Sequence, residues 1–234
     1  LQQNDGYRLI DYNGDADIVE LPKSINDQSY EIYLERNNRL KTVVVPEGIT
    51  VLGKNACNAC ANLVEVILPE SLLIIGENAF QDCILLEKVN IPSNVREIPW
   101  QCFKNCTSLK EVSIPYGVTT ISSNAFEATA LQSVSIPDST TDIGGAAFIN
   151  CLDLNEVYIG SGVNHFASST FSGCPNLNKL VFSPENQSFI SENNFVYNKE
   201  VTEILFAPKN ATGKIIMPDT LKNVGDSAFA GCSL

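Results

Sequence analysis

One spacing constrains this chain more than any other property. Aligned on a leading leucine, Leu63-Val64-Glu65-Val66-Ile67-Leu68-Pro69 stands over Leu86-Glu87-Lys88-Val89-Asn90-Ile91-Pro92 and Leu109-Lys110-Glu111-Val112-Ser113-Ile114-Pro115. Leu131-Gln132-Ser133-Val134-Ser135-Ile136-Pro137 and Leu154-Asn155-Glu156-Val157-Tyr158-Ile159-Gly160 follow. The leading leucine falls at 40, 63, 86, 109, 131, 154 and 177, so every interval is 23 residues except one of 22, a single deletion after Thr129. A second marker keeps the same beat at Ala79-Phe80, Ala125-Phe126, Ala147-Phe148 and Thr170-Phe171, with Cys57 and Phe103 in the Phe slot between. A unit this short cannot bury its own apolar edge, and stacking identical neighbours is how such units gain a core. The chain therefore predicts a solenoid.

Each unit reads as one coil. In Leu-x-x-Val-x-Ile-Pro the apolar residues alternate with variable ones, the period of a strand with one buried face. Proline then ends the strand because it has no N–H to give a ladder. A second apolar pair follows, as in Val95/Ile98, Val118/Ile121 and Val163/Phe166. The Ala-Phe-x-x-Cys stretch predicts a short helical turn that plugs Phe into the core. Val66, Val89, Val112, Val134 and Val157 hold one register and are expected to form one buried column.

The consensus Leu-x-x-Val-x-Ile-Pro-x-x-Val-x-x-Ile-x-x-x-Ala-Phe-x-x-Cys resembles the BspA-like, Treponema-type leucine-rich repeat family. That resemblance implies a leucine-rich-repeat solenoid, a β-rich α/β superhelix of the horseshoe type. About nine coils of ~23 residues would each carry one parallel strand and a short helical turn. It covers residues 40–182 in regular form. Residues 1–39 hold a degenerate copy, Ile18-Val19-Glu20-Leu21-Pro22, and read as an N-terminal cap. Residues 183–217 read as an insertion with a β-hairpin, because Phe195-Val196-Tyr197 and Glu203-Ile204-Leu205-Phe206-Ala207-Pro208 flank Asn198-Lys199. The repeat resumes at Ile215-Ile216-Met217-Pro218 and Ala228-Phe229, leaving 218–234 as a truncated final repeat. Ala228, Phe229 and Leu234 then lie at an open end, unless the insertion folds over it as a cap.

Composition removes several function classes. Lys and Arg number 15 against 27 Asp and Glu, a formal charge of −12, which opposes nucleic-acid and anionic-membrane partners. No stretch approaches the roughly 20 apolar residues of a spanning helix. No signal peptide opens the chain, which starts at Leu1 rather than Met, so a processed or trimmed N-terminus is expected. There is one histidine, His165, in a variable position, and no nucleophile elbow, phosphate loop or dinucleotide fingerprint. No catalytic residue, cofactor site or metal site is expected. Asp11, Asn13, Asp15 and Asp17 sketch a calcium loop, but Ala16 stands where that loop needs glycine and its terminal Glu is missing. Asn105, Asn186 and Asn210 begin Asn-x-Ser/Thr triplets of a kind frequent by chance.

Of the eight cysteines, Cys60, Cys83, Cys106, Cys151, Cys174 and Cys232 all fall three residues after the Phe slot, and Thr129 fills that position in the shortened repeat. A small, weakly polar side chain repeated there is expected to pack inside the turn and satisfy backbone groups as a free thiol. Cys57-x-x-Cys60 lacks a partner pair at zinc spacing.

The variable strand positions are the candidate site. If the Val column faces inward, Thr42/Val44, Glu65/Ile67, Lys88/Asn90, Glu111/Ser113, Ser133/Ser135, Glu156/Tyr158 and Lys179/Val181 face outward as a ribbon. The expected function is a non-enzymatic binding module offering an extended face to a protein or glycan, with a structural spacer that displays another domain as the alternative. The resemblance adds the expectation of a secreted or cell-surface bacterial protein, with adhesion to host proteins among its associations. The ligand and the oligomeric state are not encoded in any motif.

Overall fold

The computed structural model describes residues 2–3, 6–9, 17–24, 30–167, 169–211, 215–226, 228–229 and 232. Its main feature is a ladder of short parallel strands, one from each coil. β3 (Ile18–Glu20), β5 (Thr42–Val44), β7 (Glu65–Ile67), β9 (Lys88–Asn90) and β11 (Glu111–Ser113) form a five-stranded sheet. β13 (Ser133–Ile136), β15 (Glu156–Ile159) and β17 (Lys179–Phe182) form a three-stranded one. Register follows the repeat, with Thr42 beside Glu65, Glu65 beside Lys88 and Lys88 beside Glu111. The degenerate N-terminal copy joins this ladder as a true coil, Ile18 beside Thr42.

The coils carry two strands, not the one expected. The apolar pair after the proline makes a second parallel ladder: β6 (Val51–Leu52) with β8 (Ile74–Ile75), and β10 (Glu97–Ile98), β12 (Thr120–Ile121), β14 (Asp142–Ile143) and β16 (His165–Phe166) together. Two residues suffice because only the second of each pair is buried, as in Leu52, Ile75 and Ile98. Nearer the start, β2 (Gly6–Leu9) pairs parallel with β4 (Tyr30–Ile32) and antiparallel with β1 (Gln2–Gln3).

No helix forms among the described residues, which corrects the expected helical turn. In Asn55-Ala56-Cys57-Asn58-Ala59-Cys60 the amides divide their bonds. Ala56, Asn58 and Cys60 donate within the coil to Gly53, Asn55 and Cys57 at 3.1–3.3 Å. Asn55, Cys57 and Ala59 donate to Glu77, Ala79 and Gln81 of the next coil at 2.7–2.9 Å. Asn55 (φ 59°) and Ala59 (φ 55°) are left-handed, as are Asn78/Asp82, Asn124/Ala128 and Ala146/Asn150 in their coils. A left-handed residue every fourth position breaks any α-helix and turns alternate N–H groups outward. The corner is thus a third ladder built from consecutive turns.

The interior is one continuous column. Val66, Val89, Val134 and Val157 are buried as expected. Val112 is only partly buried, packed on the core from the last strand before the first sheet ends. Phe80, Phe103, Phe126 and Phe148 are fully buried and, with Phe171, stack at centroid spacings of 5.1–5.4 Å with ring planes within 16°. That spacing matches the strand separation of a sheet, about 4.8 Å, so the coil rise itself sets the stack.

The cysteines line a parallel column. Cys60, Cys83, Cys106, Cys151 and Cys174 donate their thiols to the carbonyls of Leu34, Cys57, Phe80, Phe126 and Phe148 at 3.0–3.1 Å. The acceptor in each case is the Phe-slot residue of the preceding coil, so each of these five thiols staples two coils. All eight cysteines are free. Burial pushes the Cys83, Cys102 and Cys106 thiols well above the ordinary value of 9.0. A pKa raised on folding gives a stability contribution that is whole below pH 9 and is lost as pH rises past it, since only the unfolded chain then releases these protons. In the native protein these three thiols are therefore expected to resist alkylation at pH 8, and the denaturation midpoint to fall above pH 9. Alkylation of unfolded, unreduced protein followed by intact-mass analysis should find most of the eight thiols labelled; several disulfides in that assay would overturn the ladder.

After β17 the chain leaves the coil pattern. β18 (Phe189–Glu192), β19 (Phe195–Asn198) and β20 (Glu203–Phe206) form an antiparallel meander, and β21 (Asn223–Val224) pairs parallel with β20. The expected hairpin is the β19–β20 half of it; Ser191 and its neighbours add a strand that the sequence pattern did not suggest. Ile215–Pro218 makes no strand, and Ile216 is 86% exposed, so the repeat resumes only in β21. Ala228 is buried with Tyr197 and Ile204 of the meander, and Phe229 packs against them, so the insertion covers these residues as in the cap alternative. Leu234, and the calcium-like stretch from Asp11 to Ala16, lie outside the described residues.

Candidate functional site

The strand alternation delivers the predicted ribbon. Glu65, Ile67, Lys88, Asn90, Glu111, Ser113, Ser133, Ser135, Tyr158 and Lys179 are exposed on the first ladder, while Thr42, Val44, Glu156 and Val181 are partly covered. Two columns run across the coils. One carries Thr42, Glu65, Lys88 and Glu111, then Ser133, Glu156 and Lys179. The other carries Val44 beside Ile67 at one end, Asn90 beside Ser113 in the middle, and Ser135, Tyr158 and Val181 in succession at the other end.

The ribbon is therefore apolar towards both ends and polar between them. Ile67 is 46% and Tyr158 40% exposed, each with an aliphatic neighbour one strand away. Charges alternate along the first column, and Lys179 forms an ion pair with Glu156. Exposed pairs of this kind are worth about 0–1 kcal/mol, so these residues are available to other partners at little cost to the fold.

The second ladder exposes apolar groups that the ribbon reading passed over. Val51 and Ile74 are register partners, 37% and 55% exposed, and Leu73 beside them is 50% exposed. The signal was present: the position before the second marker isoleucine is polar in Glu97, Thr120 and Asp142 but apolar in these two coils. Trp100 and Tyr116 are exposed as well.

The groups that could carry chemistry are dispersed. His165 is exposed on β16 with Asp142 as its register partner. Among the described residues no group of three or more His, Cys, Asp and Glu side chains is placed to hold a metal ion. No described helix is long and apolar enough to cross a membrane. Asn186, first of a glycosylation-type triplet, is fully buried and bonded on both sides of its amide.

A family model described as BspA type leucine rich repeat region matches residues 23–155, 119–213 and 199–234, in six copies. No curated protein matches the chain. Among solved structures, a Treponema pallidum leucine rich repeat protein is 29% identical with a TM-score of 0.60, over 76% of this chain and 80% of that one. A leucine-rich repeat protein from Eubacterium ventriosum is 24% identical with a TM-score of 0.59, over 83% of this chain. This chain spans under half, 46%, of that protein's length. A leucine rich cell surface protein from Faecalibacterium prausnitzii is 20% identical with a TM-score of 0.61, over 99% of this chain and 72% of that one. At such identities the last two speak for the fold alone.

Proposed function

Because this chain belongs to the BspA-type leucine-rich repeat family, we propose that it is a non-enzymatic binding module whose first-ladder ribbon carries a protein partner. The observation behind this reading is the register pairing of an exposed apolar group with a partly covered valine, Tyr158 with Val181 and Ile67 with Val44, at two ends of a polar strip. Aromatic and aliphatic anchors surrounded by polar groups are the usual composition of a protein-binding face, whereas a spacer needs only a uniformly polar one. The surplus of carboxylates, a net charge of −12, favours a partner with a cationic surface and speeds encounter with it.

The similarity to a leucine rich cell surface protein from Faecalibacterium prausnitzii supports a cell-surface or secreted setting for this module, and adhesion to host proteins is part of the proposal. A glycan ligand is the second possibility, drawing on the hydroxyl-rich middle strip of Ser113, Ser133 and Ser135. A panel of extracellular proteins and a glycan array, each probed with the natural chain and with Tyr158→Ala, tests the proposal. Loss of a buried aromatic anchor costs about 2 kcal/mol or more, so binding to a protein on the panel should weaken at least ~30-fold. Binding confined to glycans, or protein binding indifferent to Tyr158 and Ile67 substitutions, would remove the ribbon from consideration as a protein-binding face.

A further inference from the structure

The shortened repeat interrupts two of the ladders that tie coils together, and it does so at one place. The first is the strand ladder, whose five-stranded sheet ends at β11 and whose three-stranded sheet begins at β13. Among the described residues one backbone bond crosses that gap, Gln132 N–H to the Lys110 carbonyl at 3.3 Å. The β7–β9 and β13–β15 junctions carry the same flanking bond, Glu87 to Val64 at 3.0 Å and Asn155 to Gln132 at 2.9 Å, and have in addition the strand pairing that is missing here. The second is the thiol ladder. Thr129 stands in the cysteine slot; its hydroxyl meets the Phe126 carbonyl of its own coil at 3.0 Å and the Cys151 thiol of the following coil at 3.3 Å, but not the Phe-slot carbonyl of the preceding coil. The staple that every neighbouring cysteine makes is absent there.

The other side of the same junction is intact. β12 pairs with β14 in register, and Thr141 and Gly144 donate to Thr119 and Ile121 at 2.9 and 2.8 Å. The aromatic stack also continues, with Phe103, Phe126 and Phe148 at 5.3 and 5.1 Å. A circuit one residue short closes correctly on the second ladder and at the corner, and the shortfall appears where the chain next reaches the ribbon. Gln132 consequently meets Lys110 at a separation of 22, whereas Asn155 meets Gln132 at 23.

We propose that the β11–β13 junction is a hinge, at which the ribbon side of the solenoid opens and closes about the second ladder and the phenylalanine stack. Missing hydrogen bonds on one side and packed, paired backbone on the other is the arrangement of a one-sided hinge. Its consequence rests on the ribbon being the binding face: the Val44–Ile67 end and the Tyr158–Val181 end lie on opposite sides of the hinge. A ligand touching both selects one degree of opening, so its affinity depends on the closing equilibrium.

The hinge is tested without any ligand, so its failure is distinct from failure of the binding reading. Amide-resolved hydrogen exchange on the full chain should show the amides of β11 and β13 that face each other exchanging about tenfold or more faster than those shared by β13 and β15. The β12–β14 amides should remain protected. A repaired coil supplies the second measurement. Thr129→Cys with an asparagine inserted between Ala130 and Leu131 reproduces Cys60-Ala61-Asn62-Leu63 and restores the 23-residue circuit. In that variant the fast amides should slow to the level of the β13–β15 set. Equal protection on both sides of β13 in the natural chain would overturn the hinge, as would a folded repaired chain in which the contrast persists.

Discussion

Replacing Phe126 by alanine is expected to remove about 4 kcal/mol of folding stability, read as a fall in the denaturation midpoint at constant slope. Phe126 is fully buried, and its ring is stacked between Phe103 at 5.3 Å and Phe148 at 5.1 Å. Truncation removes the transfer energy of the ring and both stacking partners. It leaves a cavity that cannot close, because the coil spacing is fixed by the second strand ladder and the corner ladder, both continuous here. The site also lies in the shortened coil, where the first strand ladder breaks towards β13 and the thiol staple to the preceding coil is lacking. In a linear array, stability is the sum of each unit and its two interfaces, so weakening this unit decouples the halves. The variant should therefore unfold in two steps where the natural chain unfolds in one. A midpoint unchanged within error would show that the Phe marker is not a structural spine.

How far the sequence could be read depends on which forces repeat. The repeated leucine, valine and phenylalanine positions report burial, which every coil needs, and they placed the core column except for Val112, the buried phenylalanines and the outward side of the strands. The repeated cysteine was legible for the same reason, since one slot shared by Cys60, Cys83 and Cys106 argues for packing and against pairwise bridges. Hydrogen bonding between coils was not legible. Asn55-Ala56-Cys57 has the composition of a helix start, and only the stacked neighbour, whose carbonyls at Glu77 and Ala79 capture alternate amides, turns it into a ladder of turns. The second strand was missed because two residues are too few to show a period. Val112 departs from its column on β11, the last strand of its sheet, and that sheet end is not encoded in any single repeat. For the candidate face, position was legible from alternation; the grouping of Tyr158 with Val181, and of Val51 with Ile74 on the second ladder, depends on strand register.

Asn186→Ala is expected to cost about 3 kcal/mol or more, a larger effect than its place in a loop suggests. The side chain is fully buried between the last regular coil and the meander. Its Nδ2 donates to the carbonyls of Gly160, Ser161 and Val163 at 3.2, 3.2 and 2.8 Å, and its Oδ1 accepts from the amides of Ser188 and Phe189 at 2.8 Å each. One amide thus satisfies backbone groups of the preceding coil and starts β18 in the correct register. Alanine would leave those donors and acceptors without a partner in a site closed to water, and each such group costs about 1–3 kcal/mol. Asparagine is the side chain that fits because it presents donors on one side and an acceptor on the other. Asn186→Asp keeps the acceptor side but replaces the donors with a buried carboxylate facing three carbonyls. It should therefore be at least as destabilising as alanine at pH 7 and recover part of the loss as the pH falls and the carboxyl protonates to become a donor. The meander should loosen first, with faster hydrogen exchange at 189–198 than at 156–159. An alanine variant with natural stability, or an aspartate variant better tolerated at pH 7 than alanine, would show that this amide does not fasten the meander to the solenoid.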